Sequence, residues 1–147
     1  MRIAIGCDHR GIALKQAIIN LISLEGHTYE DLGCADTAPV DYPDVARRVA
    51  EAVAGGQFDC GILACGTGIG MSVAANKVKG IRAALCQEPF CARMAREHND
   101  ANVLCMGGWL IGQGMAEEIV RTFLGSSFTG GRHQRRVEKI SGLETSC

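Results

Sequence analysis

The chain has 147 residues, 47% of them apolar, and a formal net charge of −1 from 15 basic and 16 acidic side chains. That length suits one compact domain with a sizeable buried core. The balanced charge and the few aromatics (4 Phe, 2 Tyr, 1 Trp) exclude a general nucleic-acid binder, which needs excess positive charge and stacking platforms.

From the N-terminus on, short apolar runs alternate with amphipathic stretches. Arg2–Cys7 reads as a first strand. Gly11–Glu25 follows as a helix, with Leu14, Ala17, Ile18, Leu21 and Ile22 on one face. Thr28–Leu32 is the second strand, and Pro43–Ala54 the second helix, buried through Val45, Val49, Ala52 and Val53. Gly61–Cys65 and Ile69–Val78 are the third strand and helix. Ala83–Cys86 leads to a helix over Glu88–Asn99, with Pro89 suited to its first turn. Val103–Met106 and Gly112–Leu124 close the series, the last helix carrying Met115, Ile119, Val120 and Phe123. Continuous apolar strands alternating with helices predict an α/β fold, a parallel sheet covered on both faces. Residues 125–147 read as a polar loop and an appended helix bearing Arg132, Arg135, Arg136 and Lys139. No linker or repeat divides the chain, so one domain is expected over 1–147, an α/β core at 1–124 with a tail.

Cysteine, 8 of 147, is frequent but short of the roughly 8–10% of disulfide scaffolds. No pair has CxxC spacing, which argues against a structural zinc site. The N-terminus meets Asp8 after few apolar residues, unlike a secretory signal, and the uncharged run Cys60–Asn76 is too short and too glycine-broken to span a membrane. The expectation is a cytoplasmic protein without a membrane partner, its thiols reduced and mostly small core hydrophobes.

Open parallel sheets bind ligands beyond the carboxyl ends of their strands. That rule selects Cys7-Asp8-His9, Cys65-Gly66-Thr67-Gly68-Ile69-Gly70, Cys86-Gln87 and Gly107-Gly108-Trp109. The Cys65–Gly70 loop is the most informative. Its glycines expose backbone N–H groups before a helix, an anion site, and a thiol there is favoured as the reactive thiolate. The structural alternative is a tight turn with Thr67 as an ordinary helix cap. Three known loops fail against it. Met71 stands where a dinucleotide fingerprint needs its third glycine, where a Walker loop needs Lys, and where a cysteine phosphatase needs its arginine. A thiolate beside anion-binding amides suits a general base facing a substrate oxyanion.

Asp8-His9 reads either as a substrate contact or as local turn chemistry, with Asp8 capping the first helix. His98-Asn99 ends a helix, where His⁺ complements the dipole and Asn takes the left-handed cap. That helix returns toward the amino ends of the strands, away from its own Cys65 loop. A catalytic His98 would therefore serve a neighbouring subunit. Arg132 and Arg136, one helical turn apart after Gly130-Gly131, form either a phosphate clamp or a solvated basic face.

These stretches, with Asp41-Tyr42-Pro43, Ala74-Ala75-Asn76-Lys77, Gly80-Ile81-Arg82-Ala83, Arg96-Glu97-His98-Asn99-Asp100-Ala101-Asn102 and Gly130-Gly131-Arg132-His133-Gln134-Arg135-Arg136, run in order over nearly the whole chain. Together they resemble the type B ribose-5-phosphate isomerase family, which includes the galactose-6-phosphate isomerase subunits. The resemblance implies a Rossmann-like α/β/α fold with a five-stranded parallel sheet and a C-terminal helix packing on the second subunit. It implies a homodimer with a shared active site, or a tetramer built from such dimers, using no metal and no cofactor. Its reaction would be the interconversion of ribose 5-phosphate and ribulose 5-phosphate through an enediolate.

Carried over, Cys65 is the base between C1 and C2, and Thr67 and His98 open the sugar ring. The amides of Gly66, Thr67, Gly68, Ile69 and Gly70, with the Asn99 side chain, hold the oxyanion. Asp8 takes a hydroxyl, Tyr42 lines the sugar pocket, and His9, Arg132 and Arg136 bind phosphate. One position departs: the family usually has a phosphate-binding arginine after the fifth strand, and this chain has Trp109 there, an apolar wall without a guanidinium's charge or fork. Another aldose phosphate (allose 6-phosphate, galactose 6-phosphate or a tetrose phosphate) and a non-catalytic flavodoxin-like phosphate- or nucleotide-binding module are the alternatives.

Overall fold

The computed structural model describes residues 1–144; residues 145–147, and with them Cys147, lie outside the described residues. The elements are β1 (Arg2–Cys7), α1 (Ile12–Leu24), β2 (Thr28–Asp31), α2 (Tyr42–Ala54), β3 (Cys60–Cys65), α3 (Ile69–Ala75), β4 (Ala83–Leu85), α4 (Pro89–Asn99), β5 (Val103–Gly107), α5 (Gln113–Gly125) and α6 (Arg132–Leu143). The strands form one five-stranded sheet in the order β2-β1-β3-β5-β4, parallel throughout. Helices cover both faces. Ile18, Ile22, Ala92, Ile119 and Phe123 from α1, α4 and α5 bury one face, and Val45, Val49, Val53 and Met71 from α2 and α3 bury the other. The α/β three-layer expectation holds.

Strand character explains this layering. β3 is buried at every position, as is β1 beyond Arg2, because helices lie above and below. β2, at the sheet edge, is exposed along its length and ends in charge (Glu30, Asp31), which blunts an open edge. Lys15 of α1 is only 4% exposed; its ammonium reaches Asp31 and the Cys34 carbonyl, tying α1 to the end of β2.

The third helix is shorter than the expected Ile69–Val78. Asn76 ends it, its amide bonding the Ser72 carbonyl and both backbone groups of Ala83, so the chain turns directly into β4. The helix caps also differ. Gly11, not Asp8, is the N-cap of α1, and Gly68, not Thr67, that of α3. The left-handed cap after α4 is Asp100 (φ 47°), not Asn99, and its carboxylate pairs with Arg82. Pro89 opens α4 as expected, and the Glu88 carboxylate caps it through the Phe90 and Cys91 amides.

No helix among the described residues is long and apolar enough to cross a membrane. Cys7, Cys60, Cys86 and Cys105 are buried, free thiols. Burial pushes Cys7 and Cys86 up to about 12 and Cys60 to about 11, with Cys105 also raised by burial first. Thiols held neutral in this way are packing residues.

Candidate active site

The strand order places a topological switch between β1 and β3: the chain leaves β1 toward β2 on one side and β3 lies on the other. Asp8 and Cys65 flank the resulting crevice. Just past the β1–β3 ladder, the Asp8 amide donates to the carbonyl of Ala64, the residue before Cys65, at 3.2 Å. A cavity of about 370 Å³ opens there, lined by Asp8, Tyr42, Cys65, Thr67 and Trp109 among others.

Cys65 is 5% exposed and ends β3. The Gly68 amide donates to its Sγ at 3.1 Å, so a backbone dipole points at the sulfur and complements negative charge on it. That geometry requires glycine at 68. Its φ is +79°, and a Cβ would stand 2.8 Å from the Met106 carbonyl carbon. Thr67 Oγ1 accepts from the Ile69 amide at 3.3 Å, closing a side-chain turn that shapes the loop without capping the helix. Tyr42 packs its ring over Gly70, where a Cβ would lie 2.6 Å from the ring.

Asp8 is 3% exposed, and its Oδ1 accepts the Arg10 amide at 2.9 Å. A carboxylate this enclosed, with one backbone donor, has capacity left for a ligand hydroxyl. His9 is half-buried, with Nδ1 facing the Val40 amide at 3.5 Å. Among the described residues no cluster of His, Cys, Asp and Glu is placed to hold a metal ion.

A second cluster forms at the other end of the sheet. α4 leaves the carboxyl end of β4 and descends, so Asn99 ends beside Arg82, whose Nε donates to the Asn99 carbonyl at 3.0 Å just before β4 begins. His98 stacks on His133 of α6, with ring centroids 4.0 Å apart and planes at 8°. Thr129 holds the tail there, its amide and hydroxyl donating to the Glu97 carbonyl at 3.0 and 2.8 Å. Gly130 (φ 62°) and Gly131 (φ 57°) turn the chain into α6, and Arg132 and Arg136 stand exposed beyond them, on the same helix. His133 is pushed below 6.5 by burial, then by His98, Arg132 and Arg136.

Of the residues singled out from the sequence, Asp8, Tyr42, Cys65, Gly66, Thr67, Ile69 and Gly70 line one cavity, with Gly68 in the same loop. His98, Asn99, Arg132 and Arg136 do not line it: Asn99 lies beside Arg82, just before β4, and His98 stacks on His133, the neighbour of Arg132 on α6. Sequence reasoning missed two residues. Arg10 lines the Cys65 cavity with its guanidinium 4.9 Å from the Trp109 ring centroid. A signal existed: Arg10 is two residues past Asp8 in the same turn, and an indole is the best partner for a guanidinium. His133 had no local signal, because its pairing with His98 spans 35 positions and depends on how α6 packs.

The family model described as Ribose/Galactose Isomerase matches residues 3–140. Ribose-5-phosphate isomerase B of Escherichia coli is 49% identical over 143 residues, covering 97% of this chain and 96% of that protein. D-erythrulose-4-phosphate isomerase of Pectobacterium atrosepticum is 43% identical over 146 residues, covering 98% and 95%. The structure of ribose-5-phosphate isomerase B from Clostridium thermocellum superposes with a TM-score of 0.98 at 49% identity, covering 99% of each chain.

Proposed function

The chain belongs to the ribose/galactose isomerase family and is a sugar-phosphate isomerase; from that premise we propose that it interconverts ribose 5-phosphate and ribulose 5-phosphate with Cys65 as the base. The observation that carries this reading is the Cys65 sulfur, enclosed at the end of β3 with the Gly68 amide directed at it and the Asp8 carboxylate across the same cavity.

The proton balance is internal. The Cys65 thiolate takes the proton from C2 of the open-chain aldose, and the electron pair forms the enediol double bond while the C1 carbonyl oxygen becomes the oxyanion. The amides of Gly66–Gly70, with the Asn99 side chain of a second copy, stabilise that charge as it develops. A proton then moves between the two oxygens, Cys65 returns its proton to C1, and no external oxidant or reductant enters. Thr67 and the second copy's His98 open the ring. Asp8 holds a hydroxyl, Tyr42 walls the sugar, and His9, Arg132 and Arg136 take phosphate.

The same geometry supports a homodimer. His98, Asn99, Arg132 and Arg136 do not line the cavity of their own Cys65, and a second copy would bring them to it. Ile69, Val73, Ile140 and Leu143 on α3 and α6 are exposed apolar side chains that such an assembly would cover. The chain works as one domain, in which the tail past residue 124 carries groups for the neighbouring site.

The test is isomerisation of ribose 5-phosphate by wild type and Cys65→Ala, run beside four- and six-carbon aldose phosphates. Loss of about 10²- to 10⁴-fold in kcat with the fold intact is expected for the variant; full activity would refute Cys65 as base. Mixing inactive Cys65→Ala with inactive His98→Ala should restore activity in hybrid dimers, whereas verified subunit exchange without recovery would refute the shared site. The similarity to an erythrulose-phosphate isomerase supports a second reading, a four-carbon substrate, which the panel decides. The non-catalytic module gives way to this family membership.

A further inference from the structure

Among the described residues, the charged side chains lining the Cys65 cavity are Asp8 and Arg10. Asp8 is enclosed and negative, so a phosphate ester entering beside it meets repulsion unless a cation shares the space. Arg10 is that cation. Its backbone amide donates a hydrogen bond to Asp8 Oδ1 at 2.9 Å, and its carbonyl lies against Gly108, where a Cβ would approach it to 3.0 Å. Its guanidinium rests 4.9 Å from the centre of the Trp109 ring. Trp109 is anchored in turn. Its amide donates to the Gly66 carbonyl at 3.0 Å, and its ring lies so close over Gly66 that a Cβ there would be 2.9 Å away. The ends of β1, β3 and β5 thus build one wall with a single positive charge on it. Among the described residues no carboxylate pairs with Arg10. An aromatic ring consumes none of a guanidinium's five N–H donors, so the fork is positioned yet open to an oxyanion.

We propose that Arg10 binds the phosphate of the sugar-phosphate substrate, as a ligand contributed, like His9, by the same subunit as Cys65, and that Trp109 positions it. This rests on the isomerase reading of the same cavity and adds to it a recognition residue for the anionic end. An arginine reaching the cavity from the β1–α1 turn does not depend on the neighbouring copy's tail. It gives the Cys65 half of the site an affinity for phosphate of its own.

Trp109 is the chain's single tryptophan, so its emission reports on what happens at Arg10. Titrating inorganic phosphate into wild type should change that emission saturably. Arg10→Gln should weaken this binding and raise KM for ribose 5-phosphate by about 10- to 100-fold, the loss of charge-assisted hydrogen bonds, with kcat within about threefold. Inhibition by phosphate should weaken in parallel. Trp109→Leu should raise KM in the same direction by a smaller factor, and Trp109→Phe should restore most of it, a rescue that simple loss of packing would not give. Arg10→Ala serves as a second neutral variant if Arg10→Gln folds poorly by circular dichroism. A folded neutral variant with KM and phosphate affinity within about twofold of wild type overturns the proposal, as does a wild type whose Trp109 emission and activity ignore phosphate. Inactivity of wild type on every sugar phosphate would instead sink the isomerase reading, and the emission titration would still decide Arg10.

Discussion

Gly11 lies against the backbone of β3, with an ideal Cβ 2.5 Å from the Ala64 carbonyl oxygen and 2.7 Å from its carbon. Its φ of −98° is open to any residue, so Gly11→Ala tests steric fit alone. An ordinary carbon–oxygen approach is about 3.3 Å, so the methyl must displace one side by about 0.8 Å. What moves is the rung that unites the site: the Ala64 carbonyl accepts the Asp8 amide, and Ala64 precedes Cys65. Overpacking costs about 1–3 kcal/mol and the weakened hydrogen bond about 1 more, together roughly 2–4 kcal/mol. For a chain of this size that lowers Tm by roughly 5–12 °C. Because a misplacement of about 1 Å can cost about 10²-fold, kcat/KM should fall by about 10- to 100-fold even in the folded fraction. The assay is thermal unfolding by circular dichroism beside sugar-phosphate isomerisation well below Tm. Gly114→Ala is the control. It sits in α5 with nothing within 4 Å of its Cβ, and alanine there should stabilise by about 0.5 kcal/mol. Gly11→Ala with Tm within about 1 °C of wild type and undiminished turnover would refute the reasoning.

Asp31→Ala leaves the buried Lys15 ammonium with only the Cys34 carbonyl, and should cost about 3 kcal/mol; adding Lys15→Met should recover part of the loss, as measured by urea unfolding. His133 should make stability depend on pH. Its folded pKa lies below 6.5, through burial first and then His98, Arg132 and Arg136, so the native state binds fewer protons than the unfolded one. Its contribution is complete above pH 6.5 and is lost as pH falls from there through the folded value. Thermal melts between neutral and mildly acidic pH should therefore show a decline that His133→Gln flattens; an unchanged slope would count against this.

The legibility of the site followed the range of the interactions that build it. The Cys65–Gly70 loop was readable because its glycines, thiol and following helix are contiguous, and the backbone amide that reaches Cys65 comes from within three residues. Asp8 was readable as a strand-end carboxylate, but its local role was not: it closes a turn onto Arg10, while Gly11 caps α1. Trp109 was singled out for lacking a guanidinium's charge, and the structure sets the Arg10 guanidinium over that ring from another strand end. The expected reach of α3 to Val78 failed because Asn76 found partners in β4 that no helical period announces.

By itself, the sequence determined which segments are strands and helices, that the sheet is parallel, and which strand ends carry reactive side chains. Those properties follow from hydrophobic period and local backbone preference, which act over a few residues. Only the tertiary structure decided the order β2-β1-β3-β5-β4, which makes β1 and β3 neighbours and brings Asp8 beside Cys65. It likewise set Arg10 on Trp109 across 99 positions, and parted His98 and Arg132 from the Cys65 cavity. Strand order and side-chain pairing come from burying both faces of one sheet at once, a condition on the whole chain that no single stretch of sequence contains.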